Sequence, residues 1–245
     1  EAAWFKAKRG HKVIGLEKSN HPGGQTYTAS IPPCKQRFAT AIKHYVANCK
    51  RYGAEIRYNT EATAESILAL NPDAVILATG AAPIELRVPN EGITVVQAND
   101  VIEGKVVPGF NCLIVGGGLV GLETAEFILP NYRKATIVEM LPDVGENPFT
   151  KSQFTGMLND PDIKVMTGTK VEKFTADGAV CSTADGEVTL TGYDMVILAV
   201  GSRSYNPLEE TLAGKVPEIY VIGDAKKVAR IGDATEAAAR LAVSV

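Results

Sequence analysis

The chain has 245 residues, 45% of them hydrophobic, with 25 lysines and arginines against 28 acids and a formal net charge of −3 at pH 7. That length allows one large domain or two ordinary ones with real cores, and the mild acidity argues against nucleic-acid or anionic-membrane partners. No apolar run reaches about 18 residues, so a membrane-spanning helix is not expected either.

In chain order, residues 1–9 read as a helix that Gly10 ends, with Ala2, Ala3 and Phe5 turned inward, and residues 11–17 read as a strand closing on Glu17. His21-Pro22-Gly23-Gly24-Gln25 is a turn, and Ile31-Pro32-Pro33 keeps the chain extended. Arg37–Tyr52 is an amphipathic helix with Phe38, Ile42, Tyr45 and Cys49 on one face, ended by Gly53. A strand over 54–58, a short helix over 64–70 and a buried strand over 74–78 follow. Residues 81–109 hold Pro83, Pro89, Gly92, Gly104, Pro108 and Gly109, the composition of a crossover between domains.

Next comes an apolar run, Leu113-Ile114-Val115, that enters Gly116-Gly117-Gly118-Leu119-Val120-Gly121, a helical pattern, and a second apolar run closing on Glu139. Strand, Gly-x-Gly-x-x-Gly turn, helix, strand and acid together describe a dinucleotide-binding unit. Gly116 makes the turn, Gly118 lets backbone N–H groups approach a pyrophosphate, and Gly121 lets the helix sit close to the sheet. Phosphates then face the first helical turn, Leu119 and Val120, where unpaired N–H groups favour negative charge. Glu139 is placed to accept ribose hydroxyls and to repel a 2′-phosphate, which predicts NAD(H) rather than NADP(H). Residues 163–191, with Asp177-Gly178 and Asp185-Gly186, read as an antiparallel meander.

The unit is repeated. At an offset of 122, Glu1 meets Glu123, Ala3 meets Ala125, Phe5 meets Phe127 and Glu17 meets Glu139; at 121, the run Ala74-Val75-Ile76-Leu77-Ala78-Thr79-Gly80 meets Met195-Val196-Ile197-Leu198-Ala199-Val200-Gly201. The expected fold is therefore α/β: two Rossmann-like dinucleotide-binding domains and a β-meander, the first domain formed by 1–88 and 204–245 and the second, inserted, by 105–203. Under the same offset the first strand and the glycine loop of the earlier copy fall upstream of Glu1. That strand would be central, and five buried apolar side chains are worth roughly 8–15 kcal/mol, so a longer protein is expected.

Cys34, Cys49, Cys112 and Cys181 form no close pair, which favours ordinary thiols in a reducing, cytoplasmic compartment over disulfides, a metal or an iron–sulfur site. His11, His21 and His44 belong to no recognisable triad.

Two nucleotide units, Ala78-Thr79-Gly80 after a strand and Val221-Ile222-Gly223-Asp224 near the end make the chain resemble the two-dinucleotide-binding flavoprotein group. Gly10-His11-Lys12-Val13, Glu17-Lys18, Gly23-Gly24-Gln25, Asn71-Pro72-Asp73 and Gly223-Asp224-Ala225 are similar to the C-terminal FAD/NAD(P)-binding region of NADH:flavin oxidoreductases of the old yellow enzyme type, such as 2,4-dienoyl-CoA reductase and trimethylamine dehydrogenase. The resemblance implies FAD along Glu17, Lys18, Gly24, Gln25, Thr79, Gly80, Gly223 and Asp224, and NADH along Gly116, Gly118, Leu119, Val120, Gly121, Glu139 and Gly201. It also implies that Glu123 neighbours the nicotinamide, although a first-turn acid favoured by the helix dipole explains the same residue. An upstream barrel would carry FMN, an iron–sulfur cluster and the small-molecule substrate, and an oligomer is compatible. The implied activity is electron entry, with hydride passing from NADH to FAD for onward transfer. The alternative is a nucleotide-binding structural module whose first site holds ADP or nothing.

Overall fold

The computed structural model describes residues 1–33 and 35–244; Cys34, expected to be an unpaired thiol, lies outside the described residues. The chain forms two compact units, one of residues 1–30, 35–82 and 202–245, the other of 31–34 and 83–201.

In the second unit Asn111–Val115 is the middle strand of a five-stranded parallel sheet, in the order Val95–Gln97, Met195–Leu198, Asn111–Val115, Lys134–Val138, Ile163–Met166. Successive side chains point to opposite faces, and here both faces are apolar. Cys112, Ile114, Ala135, Ile137, Met195 and Ile197 pack with Leu122, Ala125 and Ile128 of the helix Leu119–Ile128. Leu113, Val115, Val138, Val196 and Leu198 pack on the other side with Val171, Phe174, Ala179, Cys181 and Leu190. Those last residues belong to a three-stranded antiparallel sheet, Lys170–Phe174, Ala179–Thr183 and Gly186–Leu190. Two sheets and a helical layer thus enclose the middle strand, where Cys112, Leu113 and Ile114 are fully buried.

Two expectations are corrected in this unit. Ile163–Met166 is no part of the meander; it is an edge strand of the parallel sheet, in register with Ala135–Val138. Only Ile163 is buried, with Lys164 exposed and Val165 and Met166 half-buried, a partial burial that fits an edge strand and that sequence periodicity cannot distinguish from a meander strand. The stretch expected to be only a crossover also contains the opposite edge strand, Val95–Gln97, and the helix Ala98–Ile102, both within the unit's long segment, Pro83–Gly201. Three-residue strands flanked by Pro and Gly carry too little pattern to be read.

The first unit pairs Ile14–Leu16 with Glu55–Arg57, and Ala74–Leu77 with Glu218–Val221, all parallel. Arg37–Tyr52 forms over the expected bounds and closes with Gly53 left-handed at φ +79°; Thr63 and Ser66 make a capping box on Ala64–Leu68. The helix Ala2–Lys8 buries Lys6 and Ala7, with Ala3 and Trp4 partly buried against Cys49, Ala54 and Tyr52, while Ala2 and Phe5 are half-buried outside that cluster. Ala74–Leu77, expected to be buried throughout, alternates between exposed and buried positions. Its counterpart Met195–Leu198 has strands on both edges, whereas Ala74–Leu77 pairs only with Glu218–Val221 among the described residues.

The middle strand of the second unit is secured at its entrance by Asp194, which accepts the backbone N–H of Phe110 at 2.7 Å and of Asn111 at 3.2 Å. Asp194→Ala should cost about 1–2 kcal/mol, the scale of two hydrogen bonds to a carboxylate, read as a fall in the urea unfolding midpoint; Asp194→Asn, which keeps an acceptor, should lose less.

Candidate functional site

The glycine-rich loop is built by close backbone approaches. Gly116 turns the chain at φ +106°, and a Cβ there would lie 2.4 Å from the Ala199 carbonyl oxygen at the end of the neighbouring strand. A Cβ on Gly121 would lie 2.0 Å from the Gly116 carbonyl oxygen, so the helix rests directly on the loop. Gly118 differs: it caps the helix with an ordinary φ of −69°, and nothing lies within 4 Å of an added Cβ. No protein atom explains why that position lacks a side chain, and the empty space stands at the helix N-terminus beside Leu119 and the exposed Val120. A pyrophosphate approaching backbone N–H groups fits such a cradle.

Glu139, only 8% exposed, is fixed at both oxygens. Oε2 accepts the Gly117 N–H at 2.6 Å and Oε1 the Leu141 N–H at 2.8 Å. The sequence suggests a carboxylate reaching toward a ribose; the structure shows one that also clamps the loop, retaining lone pairs for hydroxyl donors. Gly201, at φ +91°, follows the Met195–Leu198 strand and accepts the Ile84 N–H at 3.0 Å. Glu123 is the fifth residue of its helix, beyond the first turn, and is 7% exposed. The dipole explanation for an acid there accordingly weakens, since the effect is confined to the terminal turn.

In the first unit the strands Ala74–Leu77 and Glu218–Val221 carry Thr79-Gly80 and Gly223-Asp224 off the same end of their pair. Gln25, on the short helix Gln25–Thr28, donates from Nε2 to Asp224 Oδ2 at 3.3 Å, and Gly80 lies so close that an added Cβ would be 3.8 Å from that nitrogen. The Ala229 N–H fixes the other Asp224 oxygen at 3.1 Å, and the Thr79 hydroxyl donates to the Tyr205 carbonyl. Gly24 holds φ +49° with open space around its Cβ position, the same opening seen at Gly118. Residues far apart in the chain, Gln25, Gly80 and Asp224, are thus brought together. Glu17 instead binds its own loop, accepting the Ser19 N–H and hydroxyl at 2.8 Å each, with Lys18 exposed beside it.

The residues that sequence reasoning missed are those that hold the acids in place, Ser19 for Glu17, Leu141 for Glu139 and Ala229 for Asp224. A serine two positions after an acid is a local signal that could have found the first. No group of His, Cys, Asp and Glu suited to a metal occurs among the described residues. Cys49, Cys112 and Cys181 are buried free thiols, and burial pushes Cys112 and Cys181 up to about 11. His21 lies tilted against Tyr27 with centroids 3.9 Å apart, and His44 lies against Asn48 on a helix surface.

A family model described as pyridine nucleotide-disulphide oxidoreductase matches residues 1–240. The chain is 37% identical over 250 residues to an NADH oxidase of Thermoanaerobacter brockii, covering 99% of this chain and 38% of that protein. It is 34% identical over 270 residues to a metal reductase of Desulforamulus reducens, covering 96% and 40%. The solved structure of a 2-naphthoyl-CoA reductase in complex with 2-naphthoyl-CoA superposes on the whole chain and 38% of its own, with a TM-score of 0.92 and 31% identity. The expected α/β class with parallel Rossmann-type sheets agrees with that likeness, and the chain spans about two-fifths of these relatives' length. No described helix is long and apolar enough to cross a membrane.

Gly121→Ala should destabilise the second unit by about 3 kcal/mol, because backbone and not a movable side chain meets the new methyl, whereas Gly118→Ala should stay within about 0.5 kcal/mol; urea melts of the two variants separate packing from ligand space. The raised thiols favour the folded state fully below their ordinary value of 9.0, and that stability is lost as pH rises through about 11. A small thiol reagent at pH 8 should leave Cys112 and Cys181 unlabelled in the native chain and label both in urea.

Proposed function

The chain belongs to the pyridine nucleotide-disulphide oxidoreductase family, and on that premise we propose that it is the electron-entry module of a larger flavin oxidoreductase. In this proposal residues 83–201 bind NADH, and the discontinuous unit of 1–30, 35–82 and 202–245 binds FAD. When bound, the nicotinamide supplies a hydride and the flavin accepts it, chemistry that belongs to the cofactors. The protein's own part is orientation. Gly118 leaves space at a helix N-terminus, Gly116 and Gly121 hold that helix against the sheet, and Glu139 fixes the loop while presenting negative charge to a ribose. Asp224, with one oxygen held by Ala229 and the other by Gln25, is set as an acceptor for hydroxyls of the flavin's ribityl chain. Glu123, buried beyond the first helical turn, is assigned as a neighbour of the nicotinamide. None of these roles asks a side chain to gain or lose a proton, which suits a chain whose described cysteines are buried, unpaired thiols.

The observation that carries the proposal is the empty position at Gly118, beside two glycines whose neighbours do explain them. Relatives matched over nearly all of this chain carry different names, NADH oxidase and metal reductase. This favours placing choice of the final small-molecule acceptor, with FMN and an iron–sulfur cluster, in a further barrel domain. A reducing, cytoplasmic compartment suits such a chain of redox centres.

The purified protein should show the visible absorption of flavin and bleach with NADH under anaerobic conditions. A colourless protein that binds ADP, or flavin that does not bleach, would favour the structural module instead. Gly118→Ala, which should fold, should weaken NADH at least about tenfold in a calorimetric titration, equivalent to about 1.4 kcal/mol.

A further inference from the structure

We propose that Asp143 determines cofactor specificity in the second unit by holding Lys151 in an ion pair, so that the one cation on the segment following Glu139 is withheld from a 2′-phosphate. This rests on the assignment of NADH to that site. From Glu139 to Phe154 the sequence holds three acids, Glu139, Asp143 and Glu146, and one cation, Lys151.

The segment is fastened to the glycine-rich loop. The Gly145 N–H donates to the Gly117 carbonyl at 2.8 Å, and Val144 packs so closely that a Cβ on Gly117 would lie 2.6 Å from its Cγ1. Lys151 in turn lies against Gly145, where an added Cβ would be 2.9 Å from the Lys151 Cα. The Lys151 backbone therefore packs on the residue that is hydrogen-bonded to the glycine-rich loop. The lysine Nζ is 2.5 Å from Asp143 Oδ1, with the two side chains 43% and 62% exposed. Asp143 is held in turn, because the same oxygen accepts the Val144 N–H at 2.9 Å. These contacts, that with Lys151 first, also keep its carboxyl below the usual carboxylate range.

An acid near the end of the second strand selects an unphosphorylated ribose, and a cation there accommodates a 2′-phosphate. This segment carries both kinds of group. Glu139 cannot turn aside, since both its oxygens are bound to backbone N–H groups. Lys151 has a flexible four-carbon stem and a compact charge that can pair with phosphate, but its charge is already matched. With Asp143 in place, a 2′-phosphate meets the fixed carboxylate of Glu139 and a lysine whose charge is already matched; without it, a free cation stands on the same segment.

The test is calorimetric titration of the full chain with NADH and NADPH for the wild type, Asp143→Asn, Lys151→Ala and the double variant. Asp143→Asn keeps an acceptor for Val144 and changes a well-exposed side chain, so it should fold. It should raise the ratio of NADPH to NADH affinity about fivefold, the scale of an exposed ion pair. Lys151→Ala should not raise the ratio, and the double variant should return it to the wild-type value. An unchanged ratio in Asp143→Asn, or a gain that survives loss of Lys151, would overturn the specificity role while leaving the NADH assignment intact. A wild type that binds neither dinucleotide would overturn the NADH assignment and this role with it.

Discussion

The second unit depends on one backbone contact, the seating of Gly121 against the Gly116 carbonyl while Gly116 itself rests on the Ala199 carbonyl. With no side chains at these points, a strand end, a turn and a helix meet closer than any other residue allows. Helix packing, loop shape and the position of the helix N-terminus follow from that approach. Glu139 secures the loop from a second direction by binding the Gly117 N–H, and the Gly145 N–H secures it from a third.

This changes the physical meaning of Glu139. A solvated acid at a strand end would have to be ordered by its ligand, at an entropic cost. One already held by two backbone N–H groups is preorganised, and its buried charge is compensated whether or not a ribose is present. Charge selection can then be divided between a fixed acid and the adjustable pair of Asp143 and Lys151. In the first unit Asp224 follows the same logic, with each oxygen held by a different partner.

The two copies of the repeat show how burial depends on neighbours and not on sequence. Val75-Ile76-Leu77 and Val196-Ile197-Leu198 are the same residue triplet. The second copy is buried at every position because it has a strand on each edge and layers on both faces, whereas the first alternates. Identical side chains yield different exposures when the sheet around them differs.

The sequence by itself determined what short-range chemistry controls. It specified the glycine loop, the helix Arg37–Tyr52 with its left-handed Gly53, the middle strand, the hairpins and the internal repeat, because glycine conformations and apolar periodicity are local properties. Only the tertiary structure decided the edge strands Val95–Gln97 and Ile163–Met166, whose few residues pair through sheet register rather than their own pattern. It also decided that Glu123 is buried beyond the first turn, that Gln25 meets Asp224, and that Lys151 is paired with Asp143. Such partners are set by where the folded backbone carries distant residues, and no local pattern encodes that distance.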